Sequence, residues 1–324
     1  MKTSHFLSIA ILVVAVTSCK SEIEENTPTV PVVVTTPPTI PTTEIPTYGF
    51  TSEVILNDIK VLSSDDFEGR KTGTLGATKA KNYIKERFKS LNVTPLTENF
   101  EQAFSFTNGT KTYKGINVLG LIKGTANTDK YIVLSGHYDH LGVINGKIFN
   151  GADDNASGVA ALLGFAEYFK KNPPKHNVIL AAFDGEELGL KGAYHYVKNP
   201  VISLDKIVLN LNFDMISRSD TKELYAVGTR YTPVLKQTIT SLNKVGEVEL
   251  LIGHEGLDSL ENWTNSSDHA AFYKKEIPFI YFGVPDHKDY HKATDTYDKI
   301  NQQFTLEAIQ TVISVFAKLD AKEL

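Results

Sequence analysis

The sequence predicts an α/β fold of three layers, with a mostly parallel central sheet and helices on both faces. Three observations carry this. Apolar runs of strand length occur at 131–135, 177–183 and 207–213, with a further one at 277–282. Segments of helical character separate them. Strands that are near-continuously apolar, rather than alternating, belong to sheets covered on both faces. Finally, histidines and carboxylates collect just after the apolar runs, where ligands bind in open α/β sheets.

The elements follow in chain order. Lys2 and the apolar stretch Phe6 to Val16 read as a signal peptide, too short to span a bilayer. It ends in Val16-Thr17-Ser18-Cys19, which resembles a lipobox, so residues 1–18 are expected to be removed and Cys19 lipidated. Such an anchor would hold the protein in a bacterial cell envelope, on the outer or cytoplasmic membrane, facing periplasm or cell surface. Cys19 is the sole cysteine, so no internal disulfide can form. Residues 19–47 are rich in Thr, Pro and Val; prolines at 28, 31, 37, 38, 41 and 46 deny helix and sheet alike, which predicts an extended tether. Residues 48–324 are expected to form one domain. Within it, Gly76 to Leu91 is an amphipathic helix with Ala77, Ala80, Tyr83, Ile84, Phe88 and Leu91 on one side. Gly115 to Gly120 is a strand. Helices are expected at Ser157 to Lys171, Leu188 to Val197, Asp268 to Lys275 and Thr305 to Leu319. The chain is 22% charged with a net charge of −5, and no Lys/Arg cluster interleaves with aromatics, which argues against nucleic-acid binding.

The chemistry sits at the strand ends. His137-Tyr138-Asp139-His140 follows the first run, Asp184-Gly185-Glu186-Glu187 the second, Asp214 the third, and His287 through His291 the fourth. Gly151-Ala-Asp153-Asp154-Asn-Ala-Ser157 precedes a helix. Any one of these acids could be a helix cap. Together they would place many carboxylates in one cleft, a repulsion that bound cations relieve. The absence of cysteine from the set suits hydrolytic zinc rather than a structural zinc knuckle.

The order of these segments closely resembles the zinc exopeptidases of clan MH, which include leucyl aminopeptidases, glutamate carboxypeptidases and glutaminyl cyclases. The resemblance covers most of residues 55–305 and includes Asp66-Phe-Glu-Gly-Arg70 upstream. It implies two zinc ions per chain. His137 and Asp214 would hold one, Glu187 and His291 the other, and Asp154 would bridge them. Glu186 would be the general base toward a water activated by the two ions, and Asp139 would orient His137, in keeping with the carboxylate that usually accepts the second N–H of a ligating imidazole. The implied activity is removal of N-terminal residues from peptides by an aminopeptidase, with peptides bearing a free N-terminus as partners and a monomer as the expected state. Glutaminyl cyclase with a single zinc, a carboxypeptidase or dipeptidase, and a non-catalytic surface binding protein are the alternatives. His291 is favoured over His287 because the family places its ligand directly after a tyrosine. Trp263, Asp268, His269 and Tyr290 are candidate pocket residues, with helix capping by Ser267 or Asp268 the competing role. His140 reads as a loop residue and His195 as packing or surface. Asp153 is expected to cap its helix or support Asp154. Oxyanion stabilisation is unassigned, because Trp263-Thr-Asn-Ser-Ser267 lacks the tyrosine some family members place there.

Overall fold

The computed structural model describes residues 48–322 apart from Asn127. The expected signal peptide, Cys19 and the tether lie outside the described residues.

The domain begins with α1 (Ser52–Leu62), which buries Ile55, Ile59 and Leu62 on one stripe. The amphipathic stretch forms α2 (Leu75–Ser90), capped by the Thr74 hydroxyl, which accepts from the Ala77 N–H. Next come β1 (Thr94–Pro95), β2 (Glu101–Asn108), β3 (Lys111–Ile122) and β4 (Tyr131–His137). A small hairpin of β5 (Gly142–Ile144) and β6 (Lys147–Phe149) leads to α3 (Gly158–Phe169). Then follow β7 (Asn177–Phe183), α4 (Lys191–Lys198), β8 (Ile207–Phe213), β9 (Glu223–Val227), α5 (Pro233–Thr240), β10 (Glu249–Ile252), α6 (His269–Tyr273), β11 (Phe279–Gly283) and α7 (Gln302–Asp320).

The nine-stranded sheet runs β1-β3-β7-β4-β8-β11-β9-β10, with β2 also paired to β3. Its centre, β7-β4-β8-β11, is parallel. The flanks are not: β3 runs antiparallel to β7, and β9 antiparallel to β11. The expected mostly parallel core is thus set in a mixed sheet. Alternate residues of the central strands serve opposite layers. Ile132, Leu134, Val178 and Leu180 pack beneath α1, α2, α3, α5 and α7. Val133, Ile179, Ala181 and Phe183 pack beneath α4 and α6. Both faces are therefore buried, which is why the strands are near-continuously apolar; Ser135, Asn210 and Asn212 are exceptions, and they hydrogen-bond one another inside the core.

Two expected helices are shorter than predicted. The segment from Leu188 enters α4 only at Lys191, because Gly189 and Leu190 are left-handed (φ 101° and 58°) and their N–H groups both donate to the Glu186 carbonyl. α6 stops at Tyr273 and is closed off by the left-handed Glu276. The parallel strands all point the same way, so His137, Glu186, Glu187 and Asp214 emerge at one edge of the sheet.

Candidate metal centre

His137 is the last residue of β4 and is 1% exposed. Its Nε2 lies 3.3 Å from Asp214 Oδ1 and 3.3 Å from Asp154 Oδ1. Asp214 leaves β8 directly, and its N–H donates to the Phe282 carbonyl of the neighbouring strand, which fixes its direction. Asp154 sits in an irregular turn, Ala152–Ser157, that runs into α3, its own backbone non-helical (φ -103°, ψ 95°). Its other oxygen, Oδ2, is 3.1 Å from His291 Nε2. Glu187 completes the far side, with Oε2 3.2 Å from His291 Nε2 and Oε1 2.7 Å from His140 Nδ1. Two groups of mutually close donor atoms result: His137, Asp154 and Asp214, and His140, Asp154 and Glu187. Asp154 belongs to both.

His140 lies on the loop after β4, as the sequence reading has it, but it is fully buried there and packed on Glu187, among the groups of the site. Its two ring nitrogens and Glu187 Oε1 have no hydrogen-bond partner among the described residues despite their proximity. Close-packed, buried polar atoms that do not hydrogen-bond one another are what a shared cation would hold together. The donors are imidazole nitrogens and carboxylate oxygens, a set that suits zinc. On both grounds the residues fit the ion.

The charges are mutually compensating. Burial opposes protonation of His137, but Asp214, Glu186 and Asp154 outweigh it and hold its proton affinity well above the ordinary histidine range. Burial likewise pushes Asp154 up, and His140, His137 and His291 more than reverse that. Burial lowers His291 too, and Asp154 and Glu187 together more than reverse it, carrying it to about 10. Glu186 shifts the other way. Burial, with Asp214, Asp268 and Glu187 nearby, raises its carboxyl well above the usual range despite His137. The protons that neutralise this cluster are those that divalent ions would displace.

The supporting contacts differ in part from expectation. Asp139 reaches His137 Nδ1 with its backbone carbonyl at 3.1 Å, whereas its carboxylate is 3.7 Å away. That carboxylate instead accepts from the Glu186 N–H (3.0 Å) and the Thr72 hydroxyl (3.2 Å). Asp153 does not cap α3 with its side chain. It accepts from the Ser217 N–H and hydroxyl at 2.7 Å each, and from His287 Nε2 at 3.1 Å. His287 is thereby turned to Asp153, while His291 faces Asp154 and Glu187. Asp295, which carried no sequence signal, accepts the N–H groups of Asp153 and Asp154.

A cavity of about 340 Å³ opens over these groups. Glu186, Trp263, Tyr281 and Tyr290 are among its walls, and Tyr290 stacks on His291 with 3.9 Å between ring centres. Asp268 and His269 do not line it. Both are wholly buried behind it, with His269 Nε2 2.9 Å from the Trp263 carbonyl and its ring against Phe279 and Tyr281. The Asp268 carboxylate makes no cap and has no hydrogen-bond partner among the described residues, and burial pushes it up to about 7. Ser267 accepts from Asn212 instead of capping. His195 stacks on Phe104 at 5.1 Å, away from the site.

Comparison with known proteins gives a consistent result. The model of peptidase family M28 matches residues 117–317. The aminopeptidase YwaD of Bacillus subtilis is 29% identical over 231 residues, covering 68% of this chain and 47% of that protein. The chain spans about half or less of the length of the first curated relatives it matches. Among solved structures, the glutaminyl cyclase of Porphyromonas gingivalis superposes with a TM-score of 0.69 at 18% identity, over 84% of this chain and 99% of that one. BSAP, a zinc aminopeptidase from Bacillus subtilis, superposes with a TM-score of 0.66 at 18% identity, over 85% and 96%. At such identities the two structures share a fold with this chain.

Proposed function

The chain belongs to peptidase family M28, and from that premise we propose that it is a two-zinc aminopeptidase. The observation that carries the two-ion reading is Asp154, whose separate oxygens face His137 on one side and His291 on the other. In this reading His137, Asp214 and Asp154 would hold one ion, and Glu187, His291, His140 and Asp154 the other.

Bound zinc supplies a polarised carbonyl and a water that is nucleophilic at neutral pH. The chain's own groups do the rest. Glu186 and Glu187 are adjacent on a tight turn begun by the left-handed Gly185, so one carboxylate enters the cavity while its neighbour meets the histidines. The Asp139 carboxylate holds the Glu186 backbone in place. Facing the cavity, the Glu186 carboxylate would take a proton from the attacking water and give it to the leaving amine.

The cavity walls support a substrate with a free amine. Glu261 and Asp286 stand at its exposed rim, and no lysine or arginine is among its lining residues. A carboxypeptidase would want a cation there for the substrate's terminal carboxylate. A panel of aminoacyl chromogenic substrates, run with and without chelator, tests the reading. Glu186→Gln should keep its zinc and lose about 10²–10⁴-fold in kcat. Near-normal turnover by that variant would remove Glu186 from the mechanism. One zinc per chain, with turnover of N-terminal glutaminyl peptides, would point to a cyclase instead.

Envelope anchoring through Cys19 is a separate proposal resting on the lipobox-like sequence. A palmitate analogue fed to cells should label the chain, and Cys19→Ala should abolish the label.

A further inference from the structure

We infer that Arg70 is a positioning residue for the metal centre, fixing the spacing between the loop after β4 and the turn before α3. The inference rests on the two-ion reading above.

Residues 65–70 make a tight turn in which Glu68, Gly69 and Arg70 are all left-handed, with φ of 49°, 63° and 49°. A β-carbon on Gly69 would stand 2.3 Å from the Phe149 carbonyl oxygen, so the turn is wedged against the β5–β6 hairpin. This conformation drives the Arg70 side chain inward until only 1% of the residue is exposed. There the guanidinium donates to four backbone carbonyls. Nε reaches Tyr138 (2.8 Å), Nη1 reaches Leu62 (2.7 Å) and Asn150 (2.6 Å), and Nη2 reaches Gly151 (2.8 Å). Tyr138 directly follows His137, and Gly151 stands three residues before Asp154. One rigid planar group therefore ties together the two segments that must converge on the same ion.

The choice of residue is costly for stability alone. A buried cation whose hydrogen bonds all go to carbonyls is held without a directly paired carboxylate, a poor use of burial unless something else is gained. The fork of donors at fixed angles is what an ammonium on a flexible stem lacks. Arg70→Lys keeps the charge and loses the fork, so it isolates positioning.

The test compares zinc affinity, measured by competition with a chromogenic chelator, with the thermal midpoint of the metal-free chain. The proteins are the unaltered chain, Arg70→Lys, and Ile84→Ala, which opens a cavity in the buried face of α2 and is not among the residues that line the cavity over the site. Arg70→Lys should fold and bind zinc about 10–100-fold more weakly, while Ile84→Ala should lower the midpoint and leave zinc affinity unchanged. Wild-type zinc affinity in Arg70→Lys overturns the proposal. So does a failure of that variant to fold, since the residue would then serve the fold as a whole. An unaltered chain that binds no zinc would instead sink the two-ion reading, and shows itself before any variant is made.

Discussion

His140 shows how far a residue's neighbours in sequence can mislead about its neighbours in space. Three residues past His137 on a loop, it offered no periodicity from which its direction could be read. In the fold its backbone N–H points at the Arg70 carbonyl and its ring lies 2.7 Å from Glu187. Removing it leaves Glu187 with one imidazole neighbour, His291, whose side chain is 38% exposed. Replacing His140 with Asn should therefore weaken the second zinc by about tenfold or more, in the range seen when groups supporting a metal site are lost. His195→Asn, on the Phe104 stack, should change nothing. Zinc titration of the two variants separates them, and equal affinities would return His140 to a packing role. The positions of His137 and Asp214 at the sheet edge were legible because each ends or follows an apolar run, whereas Glu187 stands four residues past its run and takes its direction from the turn at Gly185. Asp295 and the true partner of Asp153 were not legible, since both depend on contacts between residues more than sixty positions apart.

At the scale of elements, the site depends on how closely α3 approaches β8. Gly158, the first residue of α3, is where they meet: a β-carbon there would lie 2.2 Å from the Phe213 carbonyl oxygen and 2.4 Å from Asn155 Oδ1. Neither obstacle is a flexible chain end free to swing away. The Phe213 carbonyl also accepts from Asn155 Nδ2, so displacing it disturbs the residues beside both Asp154 and Asp214. Gly158→Ala should cost about 1–3 kcal/mol by overpacking and weaken zinc binding together with it. Denaturant midpoints and zinc titration measure the two losses. A destabilised variant with unchanged zinc affinity would mean that the strain is absorbed away from the site. The central strands were predictable from continuous apolar character, and α2 and α7 from helical spacing. The outer elements were not. β2 is mostly exposed, and β10 has four residues, none of them fully buried, so neither has enough periodicity to register. α1 is legible in the sequence although it is not among the helices expected above: it carries a stripe of Ile55, Ile59 and Leu62, with Thr51 at its N-cap and Glu53 in its first turn.

For the molecule as a whole, the pH range of stability is tied to a histidine that the pocket does not use. His269 is fully buried between the Phe279 and Tyr281 rings, and burial pushes its pKa down to about 4 against the Trp263 and Thr264 carbonyls. In the unfolded chain it would titrate near 6.5. As pH falls through 6.5 the unfolded state gains a proton that the folded state refuses, so folding is progressively disfavoured down to about pH 4. The contribution is complete above pH 6.5 and amounts to roughly 2 kcal/mol of lost stability at pH 5. His269→Gln keeps an amide donor for the Trp263 carbonyl and carries no titratable group. The unaltered chain and the variant, both held metal-free with chelator so that zinc loss cannot mimic the effect, should differ in the change of unfolding free energy between pH 7 and pH 5. The variant should lose about 2 kcal/mol less across that interval. Parallel losses in the two proteins would show that His269 takes up its proton without opening the core, and that the acid limit of the fold lies with the buried carboxylates at the sheet edge.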